Sequence, residues 1–277
     1  MKVVRTISEM RSLRSGAVGL VPTMGAFHEG HLSLMRSARE LCDQLVVSLF
    51  VNPLQFGPAE DWDAYPRNEE RDISLAQQEG VDVLFAPSVS EMYESMRTTV
   101  RVSEVSDLWE GERRPGHFEG VATVVAKLFG IVGCRFAHFG QKDYQQCRVI
   151  ESMANDLSMD VVLFFHDTIR ESDGLAMSSR NVYLSPEERT VAPAIFQGLQ
   201  ELAAELQFAP GRPVETSLQR VASWWKSLGL EPEYLALVDA DTLKPLRTNS
   251  RNSRLITAVR LGSTRLIDNV DCSLIER

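Results

Sequence analysis

Two kinds of segment alternate along the first 170 residues. Short apolar runs with β-branched content occupy 17–23, 45–51, 81–86, 135–140 and 160–166, and longer stretches with helical spacing lie between them. Residues 31–41 put Leu34, Ala38 and Leu41 on one stripe. Residues 69–78 are polar around Ile73 and Leu75, 120–132 is apolar nearly all round, and 143–154 carries Cys147, Ile150 and Ala154 at helical intervals. Strands alternating with helices predict βαβ units and a parallel sheet covered on both faces. Beyond residue 170 the pattern changes. Ser185-Pro186-Glu187-Glu188 is a helix start, with serine as cap and proline at the first helical position. Helices are expected over 186–206 and 214–228, separated by Ala209-Pro210-Gly211-Arg212-Pro213. Short strands follow over 234–238, 255–261 and 264–268, the last two joined by a turn at Gly262-Ser263. The expectation is an α/β domain over 1–170 and a smaller α+β domain over 171–277.

Composition narrows the partners. The 277-residue chain carries 29 Lys+Arg against 38 Asp+Glu, a net charge of −9, which disfavours nucleic-acid backbone binding but leaves room for a local anion pocket. No apolar run approaches the ~18 residues of a membrane-spanning helix. Met1-Lys2-Val3-Val4-Arg5 lacks an apolar signal core, so a cytoplasmic protein is expected. Cys42, Cys134, Cys147 and Cys272 fit no zinc spacing and read as free thiols.

In open α/β sheets ligands bind outside the carboxyl ends of the strands, and four segments fall there. Pro22-Thr23-Met24-Gly25-Ala26-Phe27-His28-Glu29-Gly30-His31 follows the first run. Its glycines allow close backbone approach, and His28 and His31 share one side of a first helical turn. It is not a P-loop, because His31 and Leu32 stand where Lys and Ser/Thr are needed. It is not a zinc-protease motif, because H-E-G-H is one residue short. Asn52 and Gln55, after the second run, are neutral hydrogen-bonders among apolar residues, suited to a small polar substrate or to a self-satisfied turn. Phe139-Gly140-Gln141-Lys142-Asp143-Tyr144-Gln145-Gln146 places a lysine beside a glycine turn, with Gln146 one helical turn later. Met177-Ser178-Ser179-Arg180 reads either as an oxyanion cradle or as a polar linker. Arg113-Arg114-Pro115-Gly116-His117 is a cationic turn, a solvated loop or a lid over anions, and His138 and His166 read as structural.

Together these stretches resemble the pantothenate synthetase family, ATP-dependent ligases of pantoate and β-alanine within the H-x-G-H nucleotidyl transferase superfamily. The resemblance also rests on Asp63-Ala64-Tyr65-Pro66-Arg67 and on 114–125, and it covers the first two-thirds of the chain. Glu119 departs from it, since an arginine is expected after His-Phe. The resemblance implies a Rossmann-like doubly wound parallel sheet holding both sites, a smaller C-terminal domain acting as a cover, and a cytoplasmic homodimer. It further implies that Met24, Gly25, Ala26, Phe27, His28, Glu29, Gly30 and His31 line the ATP site, with His31 and His28 catalytic beside the phosphates. Gly140, Gln141, Lys142 and Asp143 would hold the nucleoside, Lys142 also reaching the phosphates, and Ile169 would meet the adenine. Met177, Ser178, Ser179 and Arg180 would form the phosphate-binding element, and Gln55 and Gln146 would bind pantoate, Gln55 also lying near β-alanine. Mg²⁺ is expected on the ATP phosphates rather than on a dedicated protein site, with Asp72 a candidate outer-shell contact. The chemistry expected is an acyl adenylate, then an amide. A nucleotidyl transferase with a phosphorylated acceptor and a nucleotide-sensing module are the alternatives.

Overall fold

The computed structural model describes residues 1–58, 60, 62–209 and 211–274. The chain divides into two compact units, one of residues 1–141 and 145–167, the other of 142–144 and 168–277. The division after Asp167 falls three residues before the boundary read from the sequence, and Lys142–Tyr144 group with the second unit.

The first unit is built on six parallel strands, β1 (Lys2–Val4), β2 (Val18–Thr23), β3 (Gln44–Leu49), β4 (Val83–Phe85), β5 (Phe136–Gly140) and β6 (Val162–His166), in the order β1-β4-β3-β2-β5-β6. The near-continuous apolar burial of β2 and β3 is what a strand covered on both faces requires. One core cluster gathers Leu20, Val46, Phe85, Phe118 and Ile150; another gathers Val21, Leu45, Val47 and Leu84 with Leu34, Met35 and Ala38 of the helix Glu29–Arg39. Leu20 and Val21 are chain neighbours in different clusters, the mark of side chains alternating across a sheet. From β2 the chain winds one way through β3 to β4, then returns to place β5 on the other side of β2. The β2/β5 boundary is therefore the topological switch point, where a doubly wound sheet leaves a crevice at its carboxyl end.

Two expectations need correction, and one strand went unread. β1 carried no signal, being three residues long with Lys2 and Val3 exposed. The helix after β2 begins at Glu29 rather than residue 31, so His28 is its N-cap. The single helix read over 186–206 is two, Pro186–Val191 and Ala194–Phe208. Pro193 has no N–H to continue the ladder, which ends with Ala192 N–H donating to Glu188 O at 3.0 Å.

The second unit has an antiparallel meander, β7 (Leu230–Asp239), β8 (Ser253–Leu261) and β9 (Thr264–Asp271). Helices Ala194–Phe208 and Glu215–Ser227 supply Leu199, Leu202, Val221 and Trp225 to a core shared with Leu237, Leu255 and Val259. Trp225, fully buried, donates its indole N–H to Ala194 O at 2.9 Å. Of the expected 209–213 connection, Pro210 lies outside the described residues. All four cysteines are free thiols. Among the described residues no helix is long and apolar enough to cross a membrane.

Candidate active site

The turn after β2 is held by buried groups. Thr23 Oγ1 donates to Ser48 O at 2.6 Å and accepts from Gly25 N–H at 3.3 Å. Gly25 has φ 89° and Ala26 φ 51°, so two successive residues lie in the left-handed region. For Ala26 that conformation is strained. At Gly25 a Cβ would come within 2.6 Å of Leu49 and 3.0 Å of Asp72. The strained path is fixed by Asp72, 1% exposed, whose Oδ2 accepts from Ala26 N–H and Oδ1 from Phe27 N–H, both at 2.8 Å. Burial pushes the Asp72 pKa up, against the two N–H bonds that lower it. Both of its oxygens are engaged by the turn, which gives Asp72 a structural duty there. Among the described residues no three His, Cys, Asp or Glu gather as metal ligands.

The two histidines meet at the helix start, ring centroids 4.1 Å apart and planes tilted by 38°. His31 Nδ1 accepts from His28 N–H at 3.3 Å, so the neutral His31 ring carries its proton on Nε2 and presents a donor there. The first turn of a helix is where an anion is favoured, and the two rings stand at it. Not every residue of this stretch turns a side chain to such a ligand. Phe27 is 1% exposed within the core, so only its main chain belongs to the turn, and Glu29 pairs with the exposed Arg36.

Gln55 belongs to the same neighbourhood. It closes the short helical turn Pro53–Gln55, capped by Asn52, and its Nε2 lies 3.1 Å from Met24 Sδ. Asn52, 1% exposed, donates to Gln55 Oε1 and to Gly120 O, each at 3.1 Å, and accepts from Tyr93 O–H at 2.8 Å. The carboxamide is thereby oriented, with its N–H edge toward a thioether, a weak acceptor that a substrate hydroxyl or carboxylate would outcompete. Gly140 ends β5 at the switch point, and Gln141 donates to Phe165 O at 3.3 Å. Gln146 is half-buried on the first turn of the helix Tyr144–Asp156. Its neighbour Gln145 is structural, donating to Val105 O and Leu108 O and accepting from Glu110 N–H.

The cationic turn is partly solvated, with Arg113, Pro115 and Gly116 exposed, and partly tied into the fold. Arg114 forms a two-pronged pair with Glu60 at 2.8 and 2.6 Å, and His117, 9% exposed, starts the helix His117–Val132. The sequence missed this use because Glu60 lies 54 positions away. His138 and His166 pair across β5 and β6, Nδ1 to Nε2 at 2.9 Å, and burial pushes both pKa values down, His138 to about 4.

The remaining candidates belong to the second unit. Lys142 lies in the turn Gln141–Asp143, with Nζ 4.0 Å from Asp143 Oδ2, and its carbonyl accepts from Asn269 Nδ2 at 3.0 Å. Tyr144 O–H donates to Ala240 O at 2.9 Å. Ile169 and Met177 share a hydrogen bond, Met177 N–H to Ile169 O at 3.0 Å. Ser178 caps the turn Ser179–Tyr183, accepting from Arg180 N–H at 3.3 Å. Asn181 ties that turn to Glu171 Oε1 and Ala176 O. Arg170 underlies it, pairing with Asp268 at 2.7 and 2.9 Å and lying over the Phe196 ring at 3.6 Å.

Comparison with known proteins gives one answer. A family model described as pantoate-beta-alanine ligase matches residues 2–271. A pantothenate synthetase of Roseiflexus sp. (strain RS-1) is 47% identical over 277 residues, covering 97% of this chain and 98% of the relative. The crystal structure of pantothenate synthetase from Thermus thermophilus has a TM-score of 0.94 at 46% identity, covering 99% of this chain and 100% of that one. A pantoate-beta-alanine ligase from Francisella tularensis, complexed with beta-gamma ATP and beta-alanine, has a TM-score of 0.83 at 32% identity, covering 98% of each chain.

Proposed function

The chain belongs to the pantoate-beta-alanine ligase family, and from that premise we propose that it condenses pantoate with β-alanine to pantothenate, using ATP through a pantoyl adenylate. The observation that carries this reading is the 3.1 Å approach of Gln55 Nε2 to Met24 Sδ. It sets a neutral carboxamide beside the turn that this reading gives to the phosphates. A phosphorylated acceptor would call for a cation at that carboxamide, and the nearby Arg114 is already engaged by Glu60. The nucleotidyl-transferase reading is the weaker for it.

The first step is attack of a pantoate carboxylate oxygen on the α-phosphorus. A P–O bond forms, the bond to the β-phosphate oxygen breaks, and pyrophosphate leaves with its electron pair. His31 Nε2–H and His28 donate to the oxygens on which charge accumulates. Lys142, Ser178, Ser179 and Arg180 act on the phosphates, Arg180 by its fixed fork of donors. Mg²⁺ rides on the triphosphate and neutralises its charge. In this reading Gly140, Gln141, Asp143, Ile169 and Met177 hold the nucleoside. Gln55 and Gln146 hydrogen-bond the hydroxy acid, Gln55 also meeting β-alanine. The amine of β-alanine then attacks the acyl carbon, AMP departs, and the nitrogen loses a proton to give the amide. No protein nucleophile is needed. A homodimer working in the cytoplasm completes the proposal.

The test is incubation with ATP, Mg²⁺, pantoate and β-alanine. AMP and pantothenate are expected in equal amounts, with no AMP when pantoate is omitted. AMP without amide, or amide with ADP, overturns the reading.

A further inference from the structure

We propose that Arg114 and His117, locked by Glu60, form a clamp on the main chain of Gln55 that sets the aim of its carboxamide: they are positioning residues for the substrate-binding glutamine. The inference rests on the proposed function, since it gives Gln55 a substrate to aim at.

The geometry is specific. His117 Nδ1 lies 2.8 Å from Gln55 O, and Arg114 Nη2 reaches the same carbonyl at 3.4 Å. His117 Nε2 faces Arg114 Nη1 at 3.1 Å. A guanidinium only donates, so Nε2 must accept, and the one proton of the neutral ring sits on Nδ1, aimed at the Gln55 carbonyl. The ring is kept neutral by its surroundings. Burial first, then the Arg114 charge, pushes its pKa down to about 4. Glu60 holds the guanidinium from the far side. Burial would raise its pKa, but the Arg114 hydrogen bonds and charge hold it below the ordinary carboxylate value.

The helix carrying His117 is also seated directly on the glutamine turn. A Cβ on Gly120 would fall 2.3 Å from Leu54 O and 2.7 Å from Gln55 N, so only glycine allows this approach. Asn52 reaches Gly120 O and Gln55 Oε1 from one amide nitrogen. Gln55 is thus held at both ends, its carbonyl by the clamp and its carboxamide by Asn52. A turn whose only duty was to fold would not need a buried neutral histidine, an arginine and a glutamate converging on one carbonyl.

His117→Phe fills the space and removes the donor, whereas His117→Asn places an N–H near the position of Nδ1. Steady-state kinetics with all three substrates read the difference. For His117→Phe we expect KM for pantoate to rise about tenfold or more with KM for ATP within about twofold. His117→Asn is expected to restore most of the pantoate affinity. Arg114→Lys, which loses the fork but keeps the charge, should give an intermediate rise, and it carries the test if His117→Phe fails to fold. The clamp is overturned if the pantoate KM of folded variants stays within about twofold of the parent. It is also overturned if ATP and pantoate constants rise together, or if Asn and Phe behave alike. A parent enzyme that makes no pantothenate would sink the functional reading instead, so the two failures are distinguishable.

Discussion

In the proposed reaction the β2 turn and the Ser178–Arg180 stretch both serve phosphate, and they are held by different means. The first is fixed from inside: a carboxylate 1% exposed, a threonine and two left-handed residues. The second is held by the Ser178 cap and by Asn181 on Glu171 and Ala176, with ion pairs around it. Arg170–Asp268 is largely buried, while Arg189 reaches Asp173 and Glu171 at 2.6 and 2.7 Å from half-exposed positions. Backbone amides and a buried cap set the geometry of the first region in advance, so its donors need no reorganisation when charge develops. The second region depends in part on charges that solvent and salt can reach, those of Arg189, Asp173 and Glu171. The lesson is that a turn fixed by one buried carboxylate and a turn flanked by half-screened ion pairs should fail differently.

The sharpest contrast comes from the chemistry. His31→Ala should lower turnover by about 10²–10³ while leaving the melting temperature and ATP binding nearly unchanged, because the cradle is held by Asp72 and not by the ring. Rapid-quench measurement of AMP formation checks it. An unchanged rate would remove His31 from the mechanism, and a collapsed melting temperature would mean that the imidazoles hold the turn.

Much of this was legible in the sequence. Apolar runs marked all the parallel strands but β1, because a strand buried on both faces must be apolar throughout. The glycine turn, H-x-G-H and the Gly-Gln-Lys-Asp stretch were visible because strand-end turns announce themselves by local composition. What was hidden depends on distant partners. Asp72 sits 46 residues from Ala26, Glu60 54 from Arg114 and Asp268 98 from Arg170; Asp72 was noticed only as a metal contact, and the other two looked like any surface charge. Pro193 stood in plain view, but apolar spacing continued past it. Gln146 was singled out by its spacing from Lys142, but the structural duty of Gln145 was hidden, because its partners Val105, Leu108 and Glu110 lie 35 to 40 positions away.

The second-largest effect lies in the ionic region. Arg170→Met keeps an apolar stem over Phe196 but leaves the Asp268 carboxylate, 5% exposed, without its cation. Breaking one side of a buried pair costs roughly 3–5 kcal/mol. Urea unfolding followed by Trp224 and Trp225 fluorescence should show it, and Asp268→Asn in the same background should recover part of the loss. A cost below about 1 kcal/mol would mean the pair is surface-like.

Acid should separate the two units. All five histidines, at 28, 31, 117, 138 and 166, lie in the first. His117 has a folded pKa of about 4 against 6.5 for a free ring, so below pH 6.5 the unfolded chain binds a proton that the folded unit refuses. Stability is therefore full above about pH 6.5 and lost as pH falls toward 4, by about 2 kcal/mol at pH 5 from this ring alone. His138 and His166 act in the same direction. In the second unit the lowered carboxylates Asp173 and Asp239 lose their contribution only at lower pH. Hydrogen exchange, corrected for intrinsic rates, should show the first unit loosening between about pH 6.5 and 5 and the second holding. Equal loosening would overturn the contrast.

The smallest effect tests the premise that the second cradle is open to salt. Arg189 spans Asp173 and Glu171, and its hydrogen bond is the main reason the Asp173 pKa falls below the ordinary value. All three side chains are about a third exposed, so the network is screened and worth little, about 0.5 kcal/mol. Arg189→Ala should therefore barely move the melting temperature. Its consequence should fall on geometry, because Glu171 also accepts from Asn181 Nδ2 at 3.0 Å, within the turn that carries Arg180. Without Arg189, Glu171 is less confined, and KM for ATP should rise about twofold at low salt. Raising ionic strength to about 0.5 M should produce the same rise in the parent and add little in the variant, since screening and deletion remove one interaction. If salt weakens ATP binding equally in both proteins, the salt-sensitive charges lie elsewhere and the second cradle is as rigid as the first.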